Sequence, residues 1–272
     1  MTRRQLLHSA AAASAAAFAQ TRPPVRLGID LFSIRDSNYS AFEYLDYAAK
    51  QGAQVVHFSE IRFVGSLDAA HLKKVREHAQ QLGIQLEIGM RSICPTSALF
   101  DPKQGTAESQ LTRMIEAAVD IGSPIVRSVL GSMEDRKTPP GIDSHIEDTV
   151  KVLRAVKSRA VDQNIKIAIE NHAGDMQARE LKTLIEEAGK DFVGACLDSG
   201  NPLWTIEDPH LTLETLHPYV LTSHVRDTAV WRVPRARPWL GREWAMATSA
   251  LTATSADMPN SAREKRCRLK SS

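Results

Sequence analysis

Of the chain's 272 residues, 43% are hydrophobic and 24% charged, a balance that excludes a disordered, fibrous or coiled-coil protein. The formal charge of +2 hides an asymmetry: residues 232–272 carry nine Lys/Arg against three Asp/Glu, leaving 25 basic against 29 acidic side chains in residues 1–231. An acidic body lacks the basic face that nucleic acid binding needs, three cysteines are too few for a disulfide scaffold, and no apolar run reaches the roughly 18 residues of a membrane insertion.

At the N-terminus, Thr2-Arg3-Arg4-Gln5-Leu6-Leu7, a small apolar run over 9–18 and Ala17-Phe18-Ala19 before Gln20 have the layout of a cleaved export signal. The adjacent arginines make it similar to a twin-arginine signal, with Leu6 where an aromatic is commoner. Residues 1–19 are thus expected to engage the twin-arginine export machinery and deliver a folded protein to the periplasm, cleaved near Ala19. The alternative is a cytoplasmic chain with an Ala-rich helix. Cys94 and Cys196 sit in apolar strand-like runs and read as buried thiols, although an oxidising compartment would permit their pairing.

From Val25 onward, β-branched runs alternate with amphipathic segments, the rhythm of βα units around a parallel sheet. Strands are predicted at 26–33, 54–59, 85–89, 125–130, Lys166–Glu170, 194–198 and 221–225. Helices are predicted at 41–51, 69–82, 108–121, 144–162, Ala178–Ala188 and 211–216, with Asp68 and Asp143 as N-caps and Gly52, Gly83 and Gly122 at helix ends. No linker interrupts this rhythm, so residues 20–231 read as a single (β/α)8 TIM barrel. Seven units are present where the fold has eight and about 250 residues; the eighth is missing where the tail begins.

In such a barrel, reactive groups project from the C-terminal ends of strands. Ile167-Ala168-Ile169-Glu170-Asn171-His172 closes strand five on a carboxylate, an amide and an imidazole; Ala195-Cys196-Leu197-Asp198-Ser199-Gly200-Asn201 closes strand six; Thr222-Ser223-His224-Val225-Arg226-Asp227 closes strand seven. Glu60 follows strand two, while His57, opposite Phe58 along that strand, is assigned no function. Carboxylates and imidazole on adjacent strands suit a divalent metal such as Mn, Mg, Co or Zn.

These three segments, in this order, resemble the sugar phosphate isomerase/epimerase family of the xylose isomerase-like TIM barrel superfamily. The resemblance implies one divalent metal held by Glu170, Asp198 and His224, with a fourth ligand, a strand-eight Glu, that no residue here supplies. It also implies a small carbohydrate substrate isomerised by proton transfer beside a carbonyl through a metal-stabilised enediolate. Glu170 is then both ligand and catalytic acid/base, and the absent strand-eight Glu its counterpart. His172, Arg226 and, more weakly, Glu60 are candidates for substrate oxygens. Asn201 stands where many members have a substrate-binding His, which leaves substrate and phosphorylation open. Plainer readings stay available: Asp198 as a turn former, Glu170 in an ion pair with Arg127 or Arg226, His224 as a core histidine. A metal-dependent hydrolase or lyase on the same barrel, or a non-catalytic sugar-binding or decayed homologue, are the rival functions.

Residues 232–272 show neither helical nor strand period. Read two bases later, 244–255 permits Gly-Asp-Gly-Asp-Val-Gly-Ile-Asp-Gly-Tyr-Ile, similar to the family's Gly-rich segment after strand seven. A frameshift near 233–235 therefore accounts for an aberrant basic tail in place of the last βα unit, a genuine basic extension being the alternative. Resequencing the codons for 229–246, with an intact mass of the native protein, is expected to restore the frame and a strand-eight carboxylate; a mass matching the present tail overturns this.

Overall fold

The computed structural model describes residues 25–228 and the pair Met246–Ala247. Residues 1–19, read as an export signal, and, apart from that pair, the tail 232–272 with the frameshift expected there lie outside the described residues.

Side-chain alternation along short parallel strands decides the architecture. β1 (Gly28–Asp30), β2 (Val55–Phe58), β3 (Gln85–Ser92), β4 (Ile125–Val129), β5 (Lys166–Glu170), β6 (Val193–Asp198) and β7 (Val220–His224) pair in parallel and in sequence order. Successive residues face opposite sides. Val56, Phe58, Leu86, Ile88, Val126, Ile167, Ile169, Ala195 and Leu197 join one large apolar cluster with the helices. Their neighbours Ile125, Ala168 and Cys196 form a separate small cluster on the opposite, lumen face.

The helices cover the outer face with one apolar stripe each. They are α1 (Ala41–Lys50), α2 (Ala69–Gln81), α3 (Ala107–Ile121), α4 (Ile142–Asp162), α5 (Ala178–Ala188) and α6 (Pro209–Leu216). In α5, Ala178, Leu181, Leu184, Ile185 and Ala188 are buried, a helical spacing that faces the sheet. α1 begins with a capping box between Ser40 and Glu43, and α3 ends at Gly122 with φ 79°, a conformation that favours glycine.

Local chemistry shifts several predicted boundaries. Strand one stops at Asp30 because its carboxylate accepts from the Phe32 amide and starts a 3-10 segment, Leu31–Ser37. Asp143 lies inside the first turn of α4, whose N-cap is Gly141. Asp68 occupies the N-cap of α2, but its carboxylate accepts from the Ser66 hydroxyl instead of the helix.

The sheet curls until its two edges share side-chain contacts across the lumen. The Thr222 hydroxyl on β7 donates to Glu87 on β3 at 2.8 Å, and His224 on β7 reaches Asp30 on β1 at 3.2 Å. This is the TIM-barrel fold with seven parallel strands among the described residues. Its seam runs between β1 and β7, where an eighth unit would close it; Leu27 and Val225 beside it are 48% and 55% exposed. Met246–Ala247 pairs antiparallel with Asp227–Thr228 instead. Among the described residues no helix is long and apolar enough to cross a membrane.

At Gly194 on β6 an added Cβ would lie 2.5 Å from the Tyr219 carbonyl oxygen, just before β7, and 2.6 Å from Leu221 Cγ. We expect Gly194→Ala to cost about 1–3 kcal/mol through overpacking. Calorimetry should show a lower Tm, by roughly 2–4 °C per kcal/mol, and an unchanged Tm would refute the tight contact.

Candidate active site

Register brings the site's side chains together. Glu170 at the end of β5 pairs across the sheet with Cys196 on β6, and Asp198, two residues on, pairs with His224 on β7. On the other side of the lumen Asp30 aligns with His57, and His57 with Glu87.

Glu170 is 2% exposed. Its Oε2 accepts from Arg127 Nε at 2.6 Å and from a second nitrogen of the same guanidinium, and its Oε1 accepts from Asn201 Nδ2 at 3.2 Å. Burial favours the neutral acid, yet the Arg127 guanidinium and then His224 outweigh it and hold this carboxyl well below the usual carboxylate range. Of the two arginines offered as structural partners for Glu170, Arg127 is the one that pairs with it.

His224 lies between two acidic walls. Its Nδ1 is 3.2 Å from Glu170 Oε2, and its Nε2 is 3.2 Å from Asp30 Oδ2 and 3.0 Å from His57 Nδ1. Burial pulls the imidazole down, but Cys196, Glu170 and Asp30 together raise it well above its ordinary value. His57 responds oppositely: burial first and the neighbouring His224 charge second push it down to about 3. The two rings therefore share one proton, with His224 cationic and His57 neutral. Nδ1 of His57 then accepts from His224, and its buried Nε2 finds no hydrogen-bond partner among the described residues.

Asp198 is already occupied. Its Oδ1 accepts from the Gly200 and Asn201 amides, each at 2.8 Å, and from Arg226 Nε at 2.9 Å, while Oδ2 lies 2.7 Å from a second Arg226 nitrogen. Arg226 also donates to Asn201 Oδ1, so Asn201 links the Arg226–Asp198 pair to Glu170. His172 Nδ1 donates to the Gly131 carbonyl at 2.7 Å, and burial lowers its pKa, so its Nε2 is left as an acceptor. Glu60 stands apart, bound to Arg62 Nε at 2.6 Å.

The structure thus gathers Glu170, His224, Asp198, Asn201 and Arg226 around one lumen, sets His172 at its rim and leaves Glu60 outside. It adds Asp30, His57, Glu87, Arg127 and Cys196. Their signal was parity: His57, Glu87 and Arg127 are polar residues at lumen-facing positions of otherwise apolar strands, where an unmatched polar group would be costly.

Among the described residues, two sets of side chains bring donor atoms within 4.8 Å of one another, Glu170–Cys196–His224 and Asp30–His57–His224, and both include His224. Carboxylates outnumber guanidiniums in this lumen, so a divalent cation fits its charge as well as its donors.

The xylose isomerase-like TIM barrel family matches residues 45–242. The chain belongs to that family. It is 27% identical over 197 residues to the 3-oxo-isoapionate decarboxylase of Pectobacterium atrosepticum, a match that takes in 72% of this chain and 63% of that protein's length. Among solved structures, a D-psicose 3-epimerase crystallised with D-fructose aligns with TM-score 0.60 and 18% identity over 77% of this chain and 78% of its own. The IolI protein with a bound zinc aligns with TM-score 0.62 and 16% identity over 77% and 75%. These structures share the fold, and the family's described chemistries vary.

Removing one partner of a buried ion pair strands a charge. We expect Arg127→Met alone to cost about 3–5 kcal/mol and Arg127→Met/Glu170→Leu together far less, a non-additivity that denaturant titration would reveal. Because the folded Glu170 pKa is depressed, its contribution is full above the unfolded value of about 4.3 and is lost as pH falls through the folded one. Glu170→Gln should flatten that acid limb; an unchanged acid profile or additive losses would contradict the pair's role.

Proposed function

We propose that this chain is a divalent-metal-dependent isomerase or epimerase acting on a sugar or sugar phosphate, moving a proton at the carbon beside a carbonyl. The observation that carries the reading is Glu170, kept ionised by Arg127 inside the lumen, with the His224 imidazole 3.2 Å away. Glu170 and His224 hold the cation, with a third ligand from β6, which offers Asp198 and Cys196. When bound, such an ion polarises the substrate carbonyl and acidifies the neighbouring C–H.

The chain's own residues do the rest. Glu170 accepts the proton, oriented by Arg127 and Asn201. His172 Nε2 accepts from a substrate hydroxyl, and Arg226, braced by Asp198, donates to a substrate oxygen. Residues 1–19 direct this activity to the periplasm.

A decarboxylase reading is supported by the 3-oxo-isoapionate decarboxylase relative. A 3-oxo acid that loses carbon dioxide leaves an electron pair on the carbon beside its carbonyl, so the electrostatic demand on the site is the same.

The test is proton NMR of ketoses in deuterated water with metal-loaded full-length protein. We expect C–H exchange that a chelator abolishes and Glu170→Gln slows by about 10²–10⁴-fold. Carbon dioxide release from a 3-oxo sugar acid without ketose exchange would favour the lyase, and binding without either reaction would identify a non-catalytic sugar binder.

A further inference from the structure

We infer that Asp175 is a positioning residue of this site: its buried carboxyl group ties the loop after β5 to the loop after β4 and so holds His172 with Nδ1 donating to Gly131 and Nε2 left to accept from substrate. The inference rests on the substrate-binding reading of His172 above and names what fixes that side chain.

Three observations carry it. First, Asp175 is fully buried, and both of its carboxyl oxygens accept from backbone amides: Oδ1 from His172 at 2.8 Å and Met176 at 2.6 Å, Oδ2 from Gly131 at 3.1 Å. The guanidinium of Arg136 donates to the Asp175 carbonyl at 2.9 Å and pairs with Glu180 of α5. Second, Gly131 is held at both of its polar atoms, its amide donating to Asp175 and its carbonyl accepting from His172 Nδ1 at 2.7 Å. A side chain at Gly131 would run into the Asp135 carboxylate, so the two loops meet there backbone to side chain. Third, Ala173 and Gly174, between His172 and Asp175, both have positive φ, 37° and 81°, and the Ala173 carbonyl accepts from the Met133 amide at 3.0 Å. A non-glycine residue keeps such a backbone only where its surroundings over-determine it, and the bond from the His172 amide to Asp175 closes this turn.

The chemistry follows from the donors and acceptors. A carbonyl oxygen only accepts, so Gly131 sets the proton of neutral His172 on Nδ1 and leaves Nε2 with its lone pair, the form to which a substrate hydroxyl can donate. Burying a carboxyl group is costly, and a turn alone could be closed by an asparagine. Only a side chain with two acceptor oxygens serves the amides of both loops. Asparagine would keep the contacts at Oδ1 but set an NH2 group against the Gly131 amide, and the carbonyl that fixes the imidazole would shift with it.

The probe is the full-length protein with zinc added, labelled with nitrogen-15 histidine and read by long-range nitrogen–proton NMR, the His172 signals being those lost in His172→Gln. We expect the Nδ1–H tautomer at His172 in the native chain and a mixture of tautomers in Asp175→Asn. In ketose exchange, Asp175→Asn should raise KM by roughly tenfold, the size of one lost hydrogen bond, with a smaller change in kcat. In a His172→Gln background the same substitution should add almost nothing. An Nε2–H tautomer in the native chain, a reading that requires no variant to fold, would overturn the inference. So would a His172 tautomer unmoved by Asp175→Asn, or additive losses in the double variant, which would leave Asp175 a purely fold-stabilising residue. The expected tautomer shift without exchange of any ketose would sink the sugar reading and leave the positioning of His172 standing.

Discussion

Arg127 and Glu170 make an ion pair in which both side chains are almost wholly inside the barrel, and the rest of the lumen is arranged around the consequences. Taking two charges out of water costs several kcal/mol each, recovered only when geometry and further hydrogen bonds are good. Here they are: the guanidinium grips one carboxylate oxygen with two nitrogens, and Asn201 donates to the other. Replacing a buried pair by apolar residues of similar volume is often neutral or stabilising, so stability alone does not account for the pair, which keeps a carboxylate charged and fixed at the end of β5.

From that fixed charge the protonation of the neighbours follows. A buried imidazole is ordinarily neutral, and His57 is. His224 differs because it touches acidic groups on both ring nitrogens, so the lumen holds one imidazolium and one imidazole 3.0 Å apart. That single positive charge partly balances the surplus of carboxylates. A divalent cation balances it more fully, and it can take His224 as a ligand only by displacing the proton.

Much of the fold was legible because βα alternation is a strong period: the seven strands lie at or within a few residues of their predicted positions. Boundaries slipped where one side chain intervened, as when the Asp30 carboxylate turned the chain into a 3-10 segment after three strand residues. Within the site, Glu170, Asp198 and His224 were visible because each closes an apolar strand. Asp30, Glu87 and Cys196 were hidden because their relevance depends on which strand faces which, and lumen register is set by barrel stagger, not by any local sequence signal; Arg127 was legible only as one of two possible partners of Glu170. His57 shows the limit well: its parity against Phe58 pointed it inward, but nothing near it in sequence announces His224, 167 positions away.

The seam gives these polar contacts a second role. β1 and β7 are sheet edges, and the side chains that reach across from β7 to β1, β2 and β3 are His224 and Thr222, the same residues that organise the site. Apolar packing is weak there, since Leu27, Leu221 and Val225 all keep substantial exposure. Closure of the barrel and assembly of the site are therefore one event. Ligands for a cation would come from β5, β6 and β7, so binding would fasten the exposed last strand to the buried ones, and its free energy would add to the stability of the native state. An open seam is also an aggregation liability, and the contacts that Thr222 and His224 make across the lumen oppose its opening.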